Sequence, residues 1–438
     1  ENTFSYGIKG HPIAIRNAVN FLIDNETVKP ELLFIIGKGF GYHNGRNSSN
    51  NFIQSYGEPA SDNLLVSRSP QISYPQIGVG RLSARTSDDI RVYLEKVKLY
   101  EDVQKTGSVE DQTLERKEWM KSILHLGGGN FLDEQKTFAR YLENYRKIIE
   151  GPSFGAKVHS VYKNSTDPVQ VAQSAIIDSM LFKGTSLVTF FGHSSTSTVD
   201  FDISPENFNN QKGRYPFMFT NGCFIGNVFE NYNSYSERFV LTPDKGAIGY
   251  LAPMTYAVAY SLNQYANNFY NRLGVVNYAD YIGNILKLTS IDVLSSSLQT
   301  DKFLGQQMIF HGDPAIKLNS FEKPDYIISE ESISFIPDVV NASVDTFKIL
   351  INQKNIGKSI NVTYKVLLER QLPNGQVETY EQIVNAPSYS DSVYFSIPTN
   401  NISGLGQNSF YIKIDYDNEI DELSEFHNEV NISRYFTI

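Results

Sequence analysis

Two short apolar runs in this chain each end in a residue that could do covalent chemistry. Phe190 and Phe191 lead through a glycine to His193, and the run from Phe217 leads to Cys223, the only cysteine among 438 residues. A thiolate can attack a carbonyl carbon, and an imidazole can move protons to and from the sulfur and the leaving amine. We therefore predict a pair in which Cys223 is the nucleophile and His193 the base.

The positions of these two residues favour that interpretation over a purely structural one. The alternative is that Cys223 is a small core side chain and that His193 only makes a hydrogen bond. About thirty residues separate them, the length of one strand-to-strand interval, and ligands of open α/β sheets bind at the carboxyl ends of strands. Backbone N–H groups of Ser194 and Cys223, on the turns leaving the two strands, could then stabilise an oxyanion.

The elements that would position this pair are those of an α/β domain. Short apolar segments, each near a glycine, alternate with amphipathic stretches, which is typical of a mostly parallel sheet covered by helices on two sides. The predicted strands are Leu32–Ile36, Ile77–Val79, Ile123–Leu126, Val158–Tyr162, Leu187–Phe191, Phe217–Thr220 and Ala247–Leu251. Apolar residues at helical spacing predict helices over Ile15–Leu22 and Ile90–Val97, the second with a capping box at Thr86 and Asp89.

The pattern of apolar and polar residues changes after residue 320. Short alternating strands such as Phe347–Ile351, Val362–Leu367 and Phe410–Ile414, with the turn Pro373-Asn374-Gly375, predict a β-sandwich. We predict three domains, comprising two α/β subdomains at 1–115 and 116–320 and the sandwich at 321–438.

Composition narrows the classes of partner. The net charge of −10 and the lack of a Lys/Arg run argue against nucleic acid. No apolar stretch reaches the length of a membrane span, and the polar start Glu1-Asn2-Thr3 is unlike a signal peptide, so we expect a mature or trimmed form.

One cysteine excludes an internal disulfide framework and a cysteine-rich metal site. The glycine-rich turn at 37–41 fits neither phosphate-binding fingerprint, and we expect no metal and no required cofactor at the catalytic pair.

Several blocks of sequence together resemble the gingipain-like (C25) cysteine peptidases, which have a caspase-like fold. The blocks, in family order, are Ile77–Ser83 with the following acidic helix, Leu187–His193, Pro216–Cys223, Ser236–Phe239 with Gly246–Ala252, and Phe310–Pro314. The resemblance implies a peptidase acting on protein or peptide substrates through a thioester, or a transpeptidase that passes the acyl group to an amine.

Departures from the family pattern concern the residues around the pair. Ser194 stands where the family has glycine, and the family's histidine-orienting acid is replaced by Gly127–Asn130. Asp133 or Glu134 could supply that acid, although a solvated helix start is an alternative role for both. The family's acidic S1 residue falls near Phe138, so specificity for Arg or Lys does not transfer. The predicted substrate pocket is Ala252, Pro253, Met254, Thr255 and Tyr256, which favours a small or apolar P1 side chain.

The resemblance also has implications for the C-terminal region and for the cellular location of the protein. The sandwich resembles Ig-like adhesion modules of bacterial surface proteins, and its Asp415, Asp417 and Glu419 are candidates for structural Ca²⁺, although the EF-hand pattern is not met. We expect a secreted or cell-surface protein, and the run Phe4 to Arg16 resembles the branch associated with type IX secretion, with secretion-system or cell-surface partners. The competing hypothesis is a degenerate peptidase fold that serves as a surface binding or scaffold protein.

Overall fold

We describe a computed structural model of the chain, which covers residues 11–41, 51–69, 71, 73–105, 111–166, 174–206 and 208–437 and the backbone of residues 4–5 and 8–9. The chain divides into two compact units. The first comprises residues 1–105, 119–149 and 157–320, and the second comprises 106–118, 150–156 and 321–438. The division of the α/β region at residue 115 stays a prediction.

An eight-stranded sheet forms the centre of the first unit. The strands of this unit are the hairpin β1 (Phe4–Ser5) and β2 (Ile8–Lys9), then β3 (Leu32–Ile36), β4 (Gly78–Leu82), β5 (Ser122–Gly127), β6 (Lys157–Tyr162), β7 (Leu187–Phe191), β8 (Phe217–Asn221), β9 (Gly249–Pro253) and β10 (Met308–Gly312). The order across the large sheet is β3-β4-β10-β9-β8-β7-β5-β6. Neighbours are parallel except β9 and β10. Strands β5 to β9 therefore end at one common edge.

Helices cover both faces of this sheet, as predicted. In chain order the described helices are α1 (Ile13–Asn25), α2 (Ser87–Asp102), α3 (Leu114–Lys117, in the second unit), α4 (Leu132–Ile149), α5 (Ser174–Lys183), α6 (Tyr235–Leu241), α7 (Ala259–Asn271), α8 (Ile282–Leu294) and α9 (Gln299–Gln307). On one face, apolar side chains of β5, β7, β8 and β9 form a core with residues of α2, α5 and α6. On the other, Phe217 and Phe219 of β8 contact Phe269 of α7, and Tyr145 of α4 stacks on Tyr270.

Local sequence signals explain most of these elements. The capping box of α2 is formed, because the Thr86 side chain accepts the Asp89 N–H while the Asp89 carboxylate accepts the Thr86 N–H. Strands β7 and β8 are buried along their whole length, which explains why they are apolar on both faces. The structure differs from the prediction at β9, which begins two residues later than expected, and at β10, which the strand prediction omitted.

The turn after β3 contains a buried ion pair instead of a phosphate site. Nζ of Lys38 lies 2.5 Å from Oε1 of Glu237, and both side chains are fully buried. Burial lowers the pKa of Lys38 even though Glu237 acts to raise it. The Ser83 hydroxyl donates to the same carboxylate oxygen at 2.6 Å. This lysine is therefore engaged within the fold, in agreement with the interpretation of residues 37–41 as a turn.

The second unit contains an all-antiparallel β-sandwich. Its strands are β11 (Tyr326–Ile327), β12 (Ile333–Ile336), β13 (Thr346–Asn355), β14 (Thr363–Gln371), β15 (Val377–Asn385), β16 (Ser390–Pro398), β17 (Gly406–Lys413) and β18 (Glu429–Phe436). One sheet joins β11, β12 and β16 to β13, and the other has the order β15-β14-β17-β18. Phe335, Phe347, Phe410 and Phe436 meet in the core between them. The predicted sandwich is confirmed. None of the described helices combines the length and the apolar character that a bilayer crossing demands.

Candidate active site

The two predicted catalytic residues lie on adjacent turns at one edge of the sheet. In the parallel pairing of β7 with β8, Phe191 is opposite Asn221, and His193 and Cys223 each follow two residues later. The Gly192 N–H donates to the Asn221 carbonyl at 3.1 Å. The Ser194 hydroxyl donates to the Cys223 carbonyl at 2.8 Å. Direct hydrogen bonds thus hold the histidine turn against the cysteine turn.

The thiol of Cys223 is half-buried and lies beside the segment that follows β9. The Ala257 N–H donates to Sγ at 3.5 Å, and Sγ is 3.6 Å from the Ala257 carbonyl oxygen. Ala257 in turn lines an open, mostly apolar pocket of about 370 Å³. The remaining lining residues are Thr255, Tyr256, Val258, Gln299, Thr300, Phe303, Leu304 and Gln307. The segment that contacts the sulfur thus forms one wall of this pocket, and α9 forms another.

The predicted substrate-pocket residues separate into two groups. Thr255 and Tyr256 line the pocket. Ala252 and Pro253 belong to β9 and are buried, and Met254 packs in an apolar cluster beneath the strand end. Residues of α9 also line the pocket, and the sequence analysis missed them because nothing in their spacing links them to β9.

The imidazole of His193 is held by one face of α4. Its Nε2 lies 3.2 Å from Oε2 of Glu134, and its ring is edge-on to Phe138 with centroids 6.3 Å apart. Glu134 and Phe138 are four residues apart, so they lie on the same face of the helix. Of the two predicted acids, Glu134 contacts the histidine, whereas Asp133 is exposed. The ring of Phe138, near which the resemblance was expected to place an acidic S1 residue, packs against His193 and Phe191.

Glu134 also closes the start of α4. Its Oε2 accepts the N–H of Asn130 at 2.9 Å and that of Phe131 at 3.4 Å. Partial burial raises the pKa of Glu134, but the hydrogen bonds from His193 and from these N–H groups outweigh it and leave the pKa below its ordinary value. The carboxylate is therefore ionised at neutral pH and accepts a proton-bearing Nε2. That arrangement leaves Nδ1 as the basic nitrogen.

A buried carboxylate that the sequence analysis missed fixes the histidine turn. Oδ2 of Asp200 accepts the N–H of His193 at 3.0 Å and the N–H of Gly129 at 2.8 Å. A Cβ at Gly128 would lie 2.1 Å from this oxygen and one at Gly192 would lie 2.6 Å from it. The only sequence signal for this contact is the pair of glycines at the ends of β5 and β7, which allow the carboxylate to approach both backbones.

The predicted oxyanion donors are available. In the part of the chain that the structure describes, the N–H groups of Ser194 and Cys223 have no hydrogen-bond acceptor. The Ser194 hydroxyl is directed to the Cys223 carbonyl, so the serine fits where glycine was expected. Two other histidines, His125 and His311, are fully buried within strands, and burial lowers the pKa of each to about 3, which keeps them neutral.

The sequence profile of one peptidase family and the folds of several solved structures match this chain. The profile of "Peptidase family C25" matches residues 1–319. The fold is similar to the Arg-specific cysteine proteinase gingipain R, with 13% identity, a TM-score of 0.57 and coverage of 97% of this chain and 88% of that one. It is also similar to the complex of Porphyromonas gingivalis RgpB pro- and mature domains, with 13% identity, a TM-score of 0.56 and coverage of 97% of this chain and 90% of that one. A structure described as a protease matches with 10% identity, a TM-score of 0.58 and coverage of 97% of this chain and 88% of that one. No curated protein sequence matches the chain with significance.

Replacing Asp200 with alanine should destabilise the first unit by about 2–4 kcal/mol, because the N–H groups of Gly129 and His193 lose their acceptor and the buried Lys163 loses a counter-ion. The matched control is Asp202→Ala, in which an exposed carboxylate two residues away is removed at a cost within about 0.5 kcal/mol. Urea unfolding followed by fluorescence of Trp119, the only tryptophan, reports on this unit. Equal stability of the two variants would contradict an anchoring role for Asp200.

Proposed function

The chain belongs to peptidase family C25, a family of cysteine peptidases, and we propose on this premise that it is an active endopeptidase in which Cys223 is the nucleophile and His193 the base. The observation that carries the proposal is the pairing of the two turns, in which Gly192 and Ser194 bond directly to Asn221 and Cys223. Together with the free N–H groups at Ser194 and Cys223, this supplies a thiol, an imidazole and oxyanion donors at one strand-end edge.

The reaction would pass through a thioester. Nδ1 of His193 takes the thiol proton as Sγ attacks the scissile carbonyl carbon, and the N–H groups of Ser194 and Cys223 stabilise the resulting oxyanion. The imidazolium then gives that proton to the leaving amine, and the C–N bond breaks. A water molecule, deprotonated by the same imidazole, attacks the thioester, releases the acid and returns the thiol. Glu134 keeps Nε2 protonated throughout.

The pocket beside the sulfur supports a preference for apolar side chains at P1. None of its described lining residues is acidic, and Tyr256, Val258 and Phe303 present exposed apolar surface there. An arginine or lysine side chain would lose hydration in such a pocket without gaining a counter-ion. We expect proteins or peptides as substrates, because the chain belongs to a peptidase family.

Two further aspects of the proposal concern the acyl acceptor and the location. The same thioester could be resolved by an amine, which would make the protein a transpeptidase. A secreted or cell-surface location is consistent with family membership. A role in type IX secretion stays a prediction from the run Phe4 to Arg16, part of which lies outside the described residues.

The first prediction from the proposed function tests the nucleophile and its base. Because Cys223 is the only thiol, iodoacetamide should label one site, and it should do so about tenfold or more faster in the parent than in His193→Ala at neutral pH. Cys223→Ala should reduce peptide cleavage by at least about 1,000-fold. The control is His159→Ala, a histidine of β6 outside the proposed mechanism, which should keep the parent rate. Equally slow labelling of parent and His193→Ala would favour the scaffold hypothesis.

The second prediction concerns the carboxylate that contacts the imidazole. Glu134→Gln should lower kcat/KM about tenfold, because an amide neither fixes the Nε2–H tautomer as firmly nor stabilises the imidazolium. Since the pKa of Glu134 is below its ordinary value, the loss should persist between about pH 6 and pH 8. The exposed neighbour provides a matched control, as Asp133→Asn should change the rate less than about twofold. Equal effects of the two substitutions would refute this role.

The third prediction concerns specificity. Peptides with Leu or Phe at P1 should be cleaved at least about tenfold faster than matched peptides with Arg or Lys, as measured by kcat/KM. Phe303→Asp, which adds a carboxylate to the pocket wall, should raise the relative rate for Arg. Preference of the parent protein for basic P1 residues would show that the pocket beside Ala257 is not the P1 site.

A further inference from the structure

The connection between β17 and β18 is a long loop that folds back on itself and is rich in carboxylates. The Ile414 N–H donates to the Asn428 carbonyl at 2.9 Å, which closes the base of the loop. The carboxylate of Asp415 accepts the N–H groups of Glu419 at 3.3 Å and Ile420 at 3.1 Å, which fixes the first turn. The loop is therefore built on its own backbone and returns its second half to the position of Asp415.

Three carboxylates of this loop converge. Oxygen atoms of Asp415, Glu422 and Glu425 lie within 4.8 Å of one another, and the first two residues are buried while Glu425 is exposed. Three like charges this close to one another repel, so the cluster favours a cation placed between them.

Two lysines near the loop pair with carboxylates outside the cluster, and Lys413 acts on Glu425 through its charge without forming an ion pair. Lys365 pairs with Asp417 at 2.6 Å, and Lys323 pairs with Asp421 at 2.6 Å. No described Lys or Arg forms an ion pair with the three converging carboxylates. Of the residues first considered for calcium, Asp417 is thus neutralised by a lysine, Glu419 contributes its backbone N–H, and only Asp415 belongs to the cluster.

Unpartnered polar atoms provide a second, independent observation. The Nδ2 group of Asn428 donates to Glu422 and to Glu425, each at 2.8 Å, so the fully buried amide is directed into the cluster. Its Oδ1 has no hydrogen-bond donor among the described residues. The hydroxyl of Tyr326 and both carboxylate oxygens of Asp325, which are also fully buried, likewise lack partners there. Buried polar groups are rarely left in this state.

We propose that Asp415, Glu422 and Glu425 bind one calcium ion in the sandwich. Ca²⁺ prefers six to eight oxygen ligands at about 2.3–2.6 Å, so ligand oxygens around one ion lie up to about 5 Å apart, which the spacing of the three carboxylates matches. A half-turn of the Asn428 amide would present Oδ1 as a further ligand, in exchange for the two hydrogen bonds that Nδ2 now donates to Glu422 and Glu425. The exposed side of Glu425 leaves room for water ligands and for entry of the ion.

The binding test uses the full chain after removal of metal with a chelator, titrated with CaCl₂ in a calorimeter. The expected result is one Ca²⁺ per chain with a dissociation constant below about 1 mM and a higher midpoint of thermal unfolding when calcium is present. Glu425→Gln should weaken binding about tenfold or more and abolish the calcium-dependent rise. Glu419→Gln, the same change at an exposed carboxylate of the same loop, should stay within about twofold of the parent.

Three outcomes would overturn the proposal. They are no binding up to about 10 mM calcium, parent-like binding by Glu425→Gln, and equal losses in Glu425→Gln and Glu419→Gln. Tighter binding of Mg²⁺ than of Ca²⁺ would overturn the identity of the ion. Thermal unfolding in chelator distinguishes a folding defect from the loss of a ligand. Because Glu425→Gln removes a repulsive charge, this variant should unfold in chelator at the same temperature as the parent or at a higher one.

Discussion

The proposed active site depends on one buried carboxylate that bonds to two backbones at once. Asp200 accepts N–H groups from the loop after β5 and from the turn after β7, and it can reach both because Gly128 and Gly192 have no Cβ. A charge-assisted hydrogen bond in a dry environment is stronger than one between neutral groups. The position of His193 is thereby fixed through its main chain, independently of what its imidazole contacts.

Parallel strand register supplies the remaining geometry. Since β7 and β8 are adjacent and parallel, residues equally far beyond a paired position emerge side by side, as His193 and Cys223 do. Helix α4 lies next to the histidine turn, and its Glu134 side chain contacts the imidazole. Backbone hydrogen bonds thus determine where the groups are, and side chains determine their protonation and reactivity.

Much of this organisation could be predicted from the sequence because it depends on local patterns. Burial on both faces makes β7 and β8 apolar, and the spacing of Thr86 and Asp89 specifies a cap, so these elements and the sandwich strands were found. The role of Asp200, the α9 side of the pocket and the grouping of Asp415 with Glu422 and Glu425 were not predicted, because each joins residues that only tertiary folding brings together. Choosing Glu134 over Asp133 likewise requires the direction of a helix face, and adjacent residues point in different directions.

The packing of Phe138 against the imidazole affects both the orientation of His193 and the recognition of substrate. With an aromatic ring at that position, this face of α4 orients His193 through Glu134 and Phe138. The segment after β9, whose Ala257 N–H donates to Sγ, and helix α9 line the pocket that we propose for the P1 side chain. Selectivity could therefore drift, or be re-engineered, by changes in these two segments while the proton-transfer machinery stays intact.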